Sequence, residues 1–318
     1  MSVTVVGSIA FDSVRTPFGE RERMLGGTAV HFSLASSFFA DVHVVGPVGE
    51  DFGAPEMAAL ERPGIHTADV ERVTGGKTFF WRGHYDYDLN TAHTDDTQLG
   101  VFADFQPKLS QDSRDCDVLF LANIQPELQL EVREQCHRAR FVALDSMNIW
   151  IENAREALLR VIERVDCVLL NDAELRMLTG EPNLVRAARQ IMSWGPPAPH
   201  AVVVKQGEYG AALITRDGFF SLPAYPLETV LDPTGAGDTF AGGFVGTIAA
   251  HAHTLHDGPP DDELLRSAMA HGTALASFNV EQFGTERVSR LAHNEIEDRV
   301  REIADITRFS GAPLPARA

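Results

Sequence analysis

Short apolar runs rich in β-branched residues alternate along this chain with stretches in which apolar positions recur every three or four residues. The runs predict strands at Val3–Ile9, Val42–Gly46, Val118–Ala122, Phe141–Asp145, Cys167–Asn171 and Ala201–Lys205. The helical spacing predicts helices at Ala29–Phe39, Ala54–Leu60, Glu127–His137, Ala154–Arg164, Glu174–Leu178 and Leu184–Trp194, then near Ala236–Ala250, Asp262–Phe278 and Asn294–Ile306. Such alternation points to an α/β fold whose parallel sheet is covered on both faces. Runs such as VLFLA offer no polar side to water and suit full burial. Two regions break the rhythm, at about 11–26 and 66–100. The second holds KTFFWRGHYDYD, where aromatics and charges mix. Two early departures from the main domain suggest a small β lid built from both; ordinary surface loops are the plainer alternative. The tail SGAPLPARA reads as disordered, which leaves one domain over 1–308 and a tail over 309–318.

Composition changes this picture little. The chain has 318 residues, 44% hydrophobic and 23% charged, ordinary for a globular protein. No apolar run approaches the roughly 18 residues of a membrane helix. The start, MSVTVVGSIAFDS, reads as a strand and not as a signal peptide. Cys116, Cys136 and Cys167 stand apart, without metal-site spacing. A reduced cytoplasmic protein is the expectation. A net charge of -18 with no basic patch argues against nucleic acid as a partner. Lysine is scarce: only Lys77, Lys108 and Lys205 occur.

The chemistry gathers at DPTGAGDTFAGGF, residues 232–244. Gly235, Ala236 and Gly237 lead into an apolar helical run, so a small-residue turn opens a helix. Helix N-termini present free N–H groups and partial positive charge, a cradle for an anion. Asp238 sits in that cradle, where a carboxylate would repel a resident anion. The arrangement makes sense for a phosphoryl group in transit, with the carboxylate taking the proton of an attacking hydroxyl. The alternative is that Asp238 caps a helix behind a flexible turn. No GxxxxGK[ST] loop, protein-kinase set or Rossmann GxGxxG is present.

DPTGAGDTFAGGF resembles the C-terminal signature of the ribokinase-like (PfkB-type) carbohydrate kinase family. Asp232, Thr234, Gly235, Ala236, Gly237 and Asp238 fall on its pattern D-x-T-G-A-G-D. The N-terminal signature is similar too, with Gly26 and Gly27 followed by VHVVGPVGEDFG at 42–53. The resemblance runs from GSIAFD at 7 to near Phe278. It implies a three-layer sandwich with a mostly parallel central sheet and a small β lid. It also implies an ATP- and Mg²⁺-dependent phosphotransferase with a sugar or polyol hydroxyl as acceptor. An adenosine-like nucleoside kinase is the first alternative, and a non-catalytic sugar- or nucleotide-sensing protein the second.

By resemblance, Asp238 is the catalytic base and the backbone of Gly235, Ala236 and Gly237 the anion hole. Asn171 and Glu174, in NDAE, help place Mg²⁺ and the nucleotide phosphates, largely through water; by their spacing alone they also read as a capping box. Lys205 and Gly207, in VVVKQGEYG, stand beside the nucleotide, with Gly210 completing the turn. Asp12 grips acceptor hydroxyls, and Gly26 and Gly27 line the acceptor site. Asn148, with Asp145, resembles the family's D-x-N pattern, with one residue more between them here. Asn123 follows another strand, and both asparagines are acceptor-site candidates. The family carries an asparagine four residues after the glycine pair; here it is His31, either an acceptor ligand or a core histidine. Phe80, Trp81, Arg82 and Tyr85 either reach toward the acceptor from the lid or pack the lid itself. Asp232 and Thr234 add the expectation of a K⁺ site. The expected state is a monomer or a lid-mediated homodimer.

Overall fold

The computed structural model describes residues 1–195, 199–255, 258–309 and 311. Strands run in chain order as β1 Ser2–Val6, β2 Ala10–Thr16, β3 Gly19–Gly26, β4 Asp41–Val48, β5 Ile65–Arg72, β6 Phe79–Tyr85, β7 Ala92–Gln98, β8 Val118–Leu121, β9 Phe141–Asp145, β10 Cys167–Asn171, β11 Ala201–Lys205, β12 Ala211–Thr215 and β13 Phe219–Leu222. Nine of them form one sheet in the order β13-β12-β11-β10-β9-β8-β1-β4-β5. It is parallel from β5 through β11 and ends in an antiparallel hairpin, β12–β13.

The buried runs serve two cores at once, because successive side chains point to opposite faces. Val118 and Phe120 join one core; Leu119 and Leu121 join the other. The first core is roofed by the helices Thr28–Ser36, Ala236–Ala250 and Asp262–Asn279, where Phe32 stacks on Phe120 at 4.3 Å. The second lies under Pro126–Gln135, Arg155–Ile162, Asp172–Thr179 and Leu184–Ile191. The result is the expected three-layer α/β sandwich. No described helix is long and apolar enough to cross a membrane.

A second sheet, in the order β3-β2-β6-β7, comes from Ala10–Gly26 and Phe79–Gln98. It pairs antiparallel except for β2 with β6. Residues 66–72, expected in the lid, instead belong to β5 at the edge of the main sheet. An edge strand covers only one face, so IHTADVER reads as polar. Asp51 fixes the small sheet where it leaves the main domain. Its carboxylate accepts Thr78 N–H at 2.7 Å, Thr78 Oγ1 at 2.8 Å and Arg23 Nη2 at 2.9 Å. Residues 310 and 312–318 of the expected tail lie outside the described residues.

Candidate active site

The carboxyl ends of β1, β9, β10 and β11 open onto one crevice, the usual ligand position of an open α/β sheet. In register, Asn171 pairs with Lys205 and Leu169 with Asp145. From this edge Lys205 Nζ donates to Asp145 Oδ2 at 2.8 Å in a largely buried ion pair. The same ammonium lies 3.1 Å from where a Cβ on Gly237 would stand. This ammonium therefore touches the Gly235–Gly237 turn. Burial alone would lower the Lys205 pKa, but Asp145, Glu174 and Asp238 more than offset that and raise it.

The turn itself is built for close approach. Gly235 caps the Ala236–Ala250 helix at φ 74°, in the left-handed region. The face of the His31 ring lies against it; a Cβ there would meet three ring atoms at 2.3–2.4 Å. The N–H of Ala236 is already donated to the Pro233 carbonyl at 3.2 Å. First-turn geometry leaves the N–H of Gly237 without an intrahelical acceptor.

Asp238 sits in the first turn of this helix, half-buried. Burial pushes its pKa up to about 7, Asp145 and Asp12 push the same way, and Lys205 opposes them. Asp12, 7% exposed, is also raised to about 7, by burial first and by Asp232 third, against a hydrogen bond from the Gly27 N–H. Gly26 makes room for it: a Cβ there would stand 2.0 Å from Asp12 Oδ2. Gly27, at φ 93°, lets the chain pass within 2.5 Å of the Ser8 carbonyl as a Cβ would see it. Gly26 is thus explained by the acid it accommodates, and Gly27 by the backbone of Ser8 and Ala10 against which it packs. Glu174 closes the other side. It forms both halves of a capping box with Asn171, at 2.8 Å each, and burial raises it to about 7 with Asp145 next.

Other sequence candidates fall variously. Tyr85 brings the lid down on the turn, its hydroxyl 3.2 Å from Thr234 Oγ1. Asn90, also from the lid, donates to Glu208 at 3.1 Å beside Gly207, which sits at φ 56°. Arg82 faces Glu22 on the exposed side of the lid, and Trp81 Nε1 donates to Thr94 Oγ1. Asn123 spends both ends on the next segment: Nδ2 on Met147 Sδ at 3.0 Å, Oδ1 on Trp150 Nε1 at 2.8 Å. Asn148 is exposed at the start of the Asn148–Asn153 helix. Asp232 is fully buried, with Thr234 N–H on Oδ1 and Gly284 N–H on Oδ2, each at 2.9 Å.

His31 is 2% exposed. Its Nδ1 lies 3.1 Å from Asn279 Oδ1, its Nε2 has no partner, and burial lowers its pKa to about 4. It is a neutral imidazole beneath the turn. Asn279 is the residue that the sequence reading missed. Its one signal is a lone amide closing the apolar run ALASFN.

The carboxylates fix a pH signature. Groups whose folded pKa is raised stabilise the fold at low pH and lose that contribution as pH rises through the folded value. His31, lowered from its ordinary 6.5 to about 4, acts the other way across that range, but it is one group against three. Between about pH 4.5 and about pH 7 the ligand-free protein should therefore melt at progressively lower temperature, and level off above. Asp238→Asn should flatten that slope in a melting series. An unchanged slope would show that the carboxyls are not held in competition.

The pfkB family carbohydrate kinase model matches residues 3–290. A cytidine kinase of Thermococcus kodakarensis is 29% identical over 252 residues, covering 77% of this chain and 87% of that protein. A deoxyribokinase of Salmonella typhi is 27% identical over 279 residues, covering 82% and 83%. Among solved structures, the nucleoside kinase of Methanocaldococcus jannaschii superposes with a TM-score of 0.74 at 20% identity, covering 95% of this chain and 98% of that one.

Proposed function

The chain belongs to the pfkB family of carbohydrate kinases, and from that premise we propose that it transfers the γ-phosphoryl group of ATP to a hydroxyl of a sugar or polyol, with a nucleoside as the second reading. One observation carries the chemistry: Asp238, its pKa raised to about 7, stands in the first turn of a helix whose left-handed glycine cap admits close approach. A base poised near the working pH is well matched to proton transfer.

In this reading Asp12 accepts hydrogen bonds from acceptor hydroxyls, while His31, buried beneath the turn, acts as a core histidine that supports it. Asp238 takes the proton of the attacking hydroxyl as its oxygen bonds to the γ-phosphorus. The bond to the bridging oxygen breaks, and ADP leaves. The N–H of Gly237, free of an intrahelical acceptor, and the Lys205 ammonium stabilise the charge on the moving group. Tyr85 and Asn90 hold the lid over the turn and the nucleotide loop, excluding water as a competing acceptor.

The residues suit a divalent cation delivered with the nucleotide. Asp12, Asp145, Glu174 and Asp238 share a crevice with Lys205, and the raised pKa values of three of them mark unmet demand for positive charge. Among the described residues no cluster of His, Cys, Asp or Glu is placed to hold an ion alone, so phosphate oxygens would supply most ligands. Bound Mg²⁺ would neutralise charge on the phosphates. Asn171 and Glu174 would reach it through water, at the edge where Gly207 shapes the nucleotide loop.

The second reading is favoured by the cytidine kinase, whose length this chain covers well. ADP release should be measured with Mg·ATP against nucleosides, pentoses, hexoses and inositols. One class should support turnover, and EDTA should abolish it. ATP consumption that ignores every acceptor would defeat the kinase assignment for this chain.

A further inference from the structure

The Thr234–Thr239 turn is held by protein donors at the places where a bound cation would have to act. Leu231 N–H donates to the Val280 carbonyl at 2.8 Å. Both oxygens of Asp232 accept backbone N–H groups, from Thr234 and from Gly284. The Thr234 carbonyl accepts Asn279 Nδ2 at 2.8 Å. Asn279 Oδ1 accepts Thr239 Oγ1 at 3.0 Å and faces His31 Nδ1 at 3.1 Å. The amide cannot be turned over, because its oxygen would then face the Thr234 carbonyl. Its orientation in turn requires His31 to carry its proton on Nδ1.

One fully buried side chain therefore clasps the turn on both sides of Asp238: Thr234 before it, Thr239 after it, and the ring beneath Gly235 between. A K⁺ ion was the expectation for Asp232 and Thr234. The donor set fits it poorly, since each of the three oxygens that would coordinate it already accepts an N–H and is drawn into place by it, leaving one lone pair apiece.

We propose that Asn279 is a positioning residue that orders the anion-hole turn from within, so that this enzyme needs no monovalent cation. This rests on the phosphoryl-transfer reading above. A cation orders such a loop by drawing carbonyl and carboxylate oxygens together; here an amide at the end of the Asp262–Asn279 helix does so with two hydrogen bonds and a ring contact. The tie acts on the turn that meets the transition state, so it should govern kcat more than either KM.

The test compares K⁺, Na⁺ and tetramethylammonium chloride at equal ionic strength, reading both turnover and melting temperature. The wild-type enzyme should turn over at the same rate within about 2-fold in all three, and K⁺ should give no melting shift of the kind a specific ligand produces. Asn279→Asp keeps the shape and the oxygen facing Thr239 but sets a carboxylate oxygen against the Thr234 carbonyl. In tetramethylammonium its kcat should fall roughly 10-fold, the effect of leaving a buried partner unsatisfied, with the KM for ATP unchanged. K⁺ should restore much of that loss, because the variant creates the oxygen pair that the wild type lacks.

A wild-type enzyme that is activated or thermally stabilised by K⁺ over tetramethylammonium overturns the proposal. So does an Asn279→Asp enzyme that matches the wild type without K⁺. If the variant does not fold, the wild-type comparison still decides. If no acceptor supports ADP release in any salt, the phosphoryl-transfer reading fails, and the melting comparison still tests the tie.

Discussion

Asp238→Asn is expected to lower kcat by at least about 100-fold, within the usual range for loss of a general base. The amide keeps the volume of the side chain but cannot accept the hydroxyl proton. Its effect on the fold should be opposite in sign to that of a lost cap. Asp238 is raised to about 7 by burial and by Asp145 and Asp12, so a neutral group in its place relieves repulsion. The melting temperature above neutral pH should stay level or rise while turnover collapses. The loss should not be recovered at saturating acceptor, because the missing interaction belongs to the transition state. A cap alone would show the reverse, a fall of roughly 1 kcal/mol in stability with turnover intact. Single-turnover rates beside a melting curve separate the two. An Asn enzyme within a few-fold of the wild type would return Asp238 to the helix terminus.

Asp12→Ala should raise the acceptor KM while leaving the ATP KM close to its starting value. Hydrogen bonds to a charged group contribute about 1.5–3 kcal/mol each, so losing one costs roughly 10- to 100-fold in acceptor affinity, and losing two costs more. The carboxyl is held by the Gly27 N–H and by the space that Gly26 leaves. It stands on β2, whereas Asn171, Glu174 and Lys205 meet at the ends of β10 and β11. Separate titrations of acceptor and ATP read the outcome. An unchanged acceptor KM would make Asp12 a buried acid with no role in recognition.

The buried frame was legible because its strands are short and wholly apolar. VLFLA, VLL and VVV admit no half-exposed sheet, and the β8–β11 order follows chain order. The boundaries of the lid were not legible. β7, AHTDDTQ, is almost entirely exposed and carries no alternation, while β5 looks polar because it lies at an edge. In the site, spacing alone pointed to Asp238 and its turn, since small residues ahead of an acid at a helix start have few other uses. Asn148, a candidate by resemblance and not by spacing, lies exposed at the start of a short helix. Asn279 could not have been found this way. Its partners lie 40, 45 and 248 positions away, and only the packing of three helices brings them together.

The contact between Gly235 and the face of the His31 ring also constrains how this sequence can change over generations. A side chain at position 235 would enter the imidazole, so the substitution is unavailable while His31 remains. If the ring were first replaced by something small, these nearest contacts would go, and the left-handed backbone would still oppose an alanine at 235 by about 1–2 kcal/mol. The two positions are therefore strongly non-additive, and the order of events matters. A lineage that keeps a histidine here is committed to glycine at the cap, whereas one that loses the ring first gains a path to a bulkier turn. Reconstructed ancestors on either side of that branch should differ in which of the two replacements they tolerate.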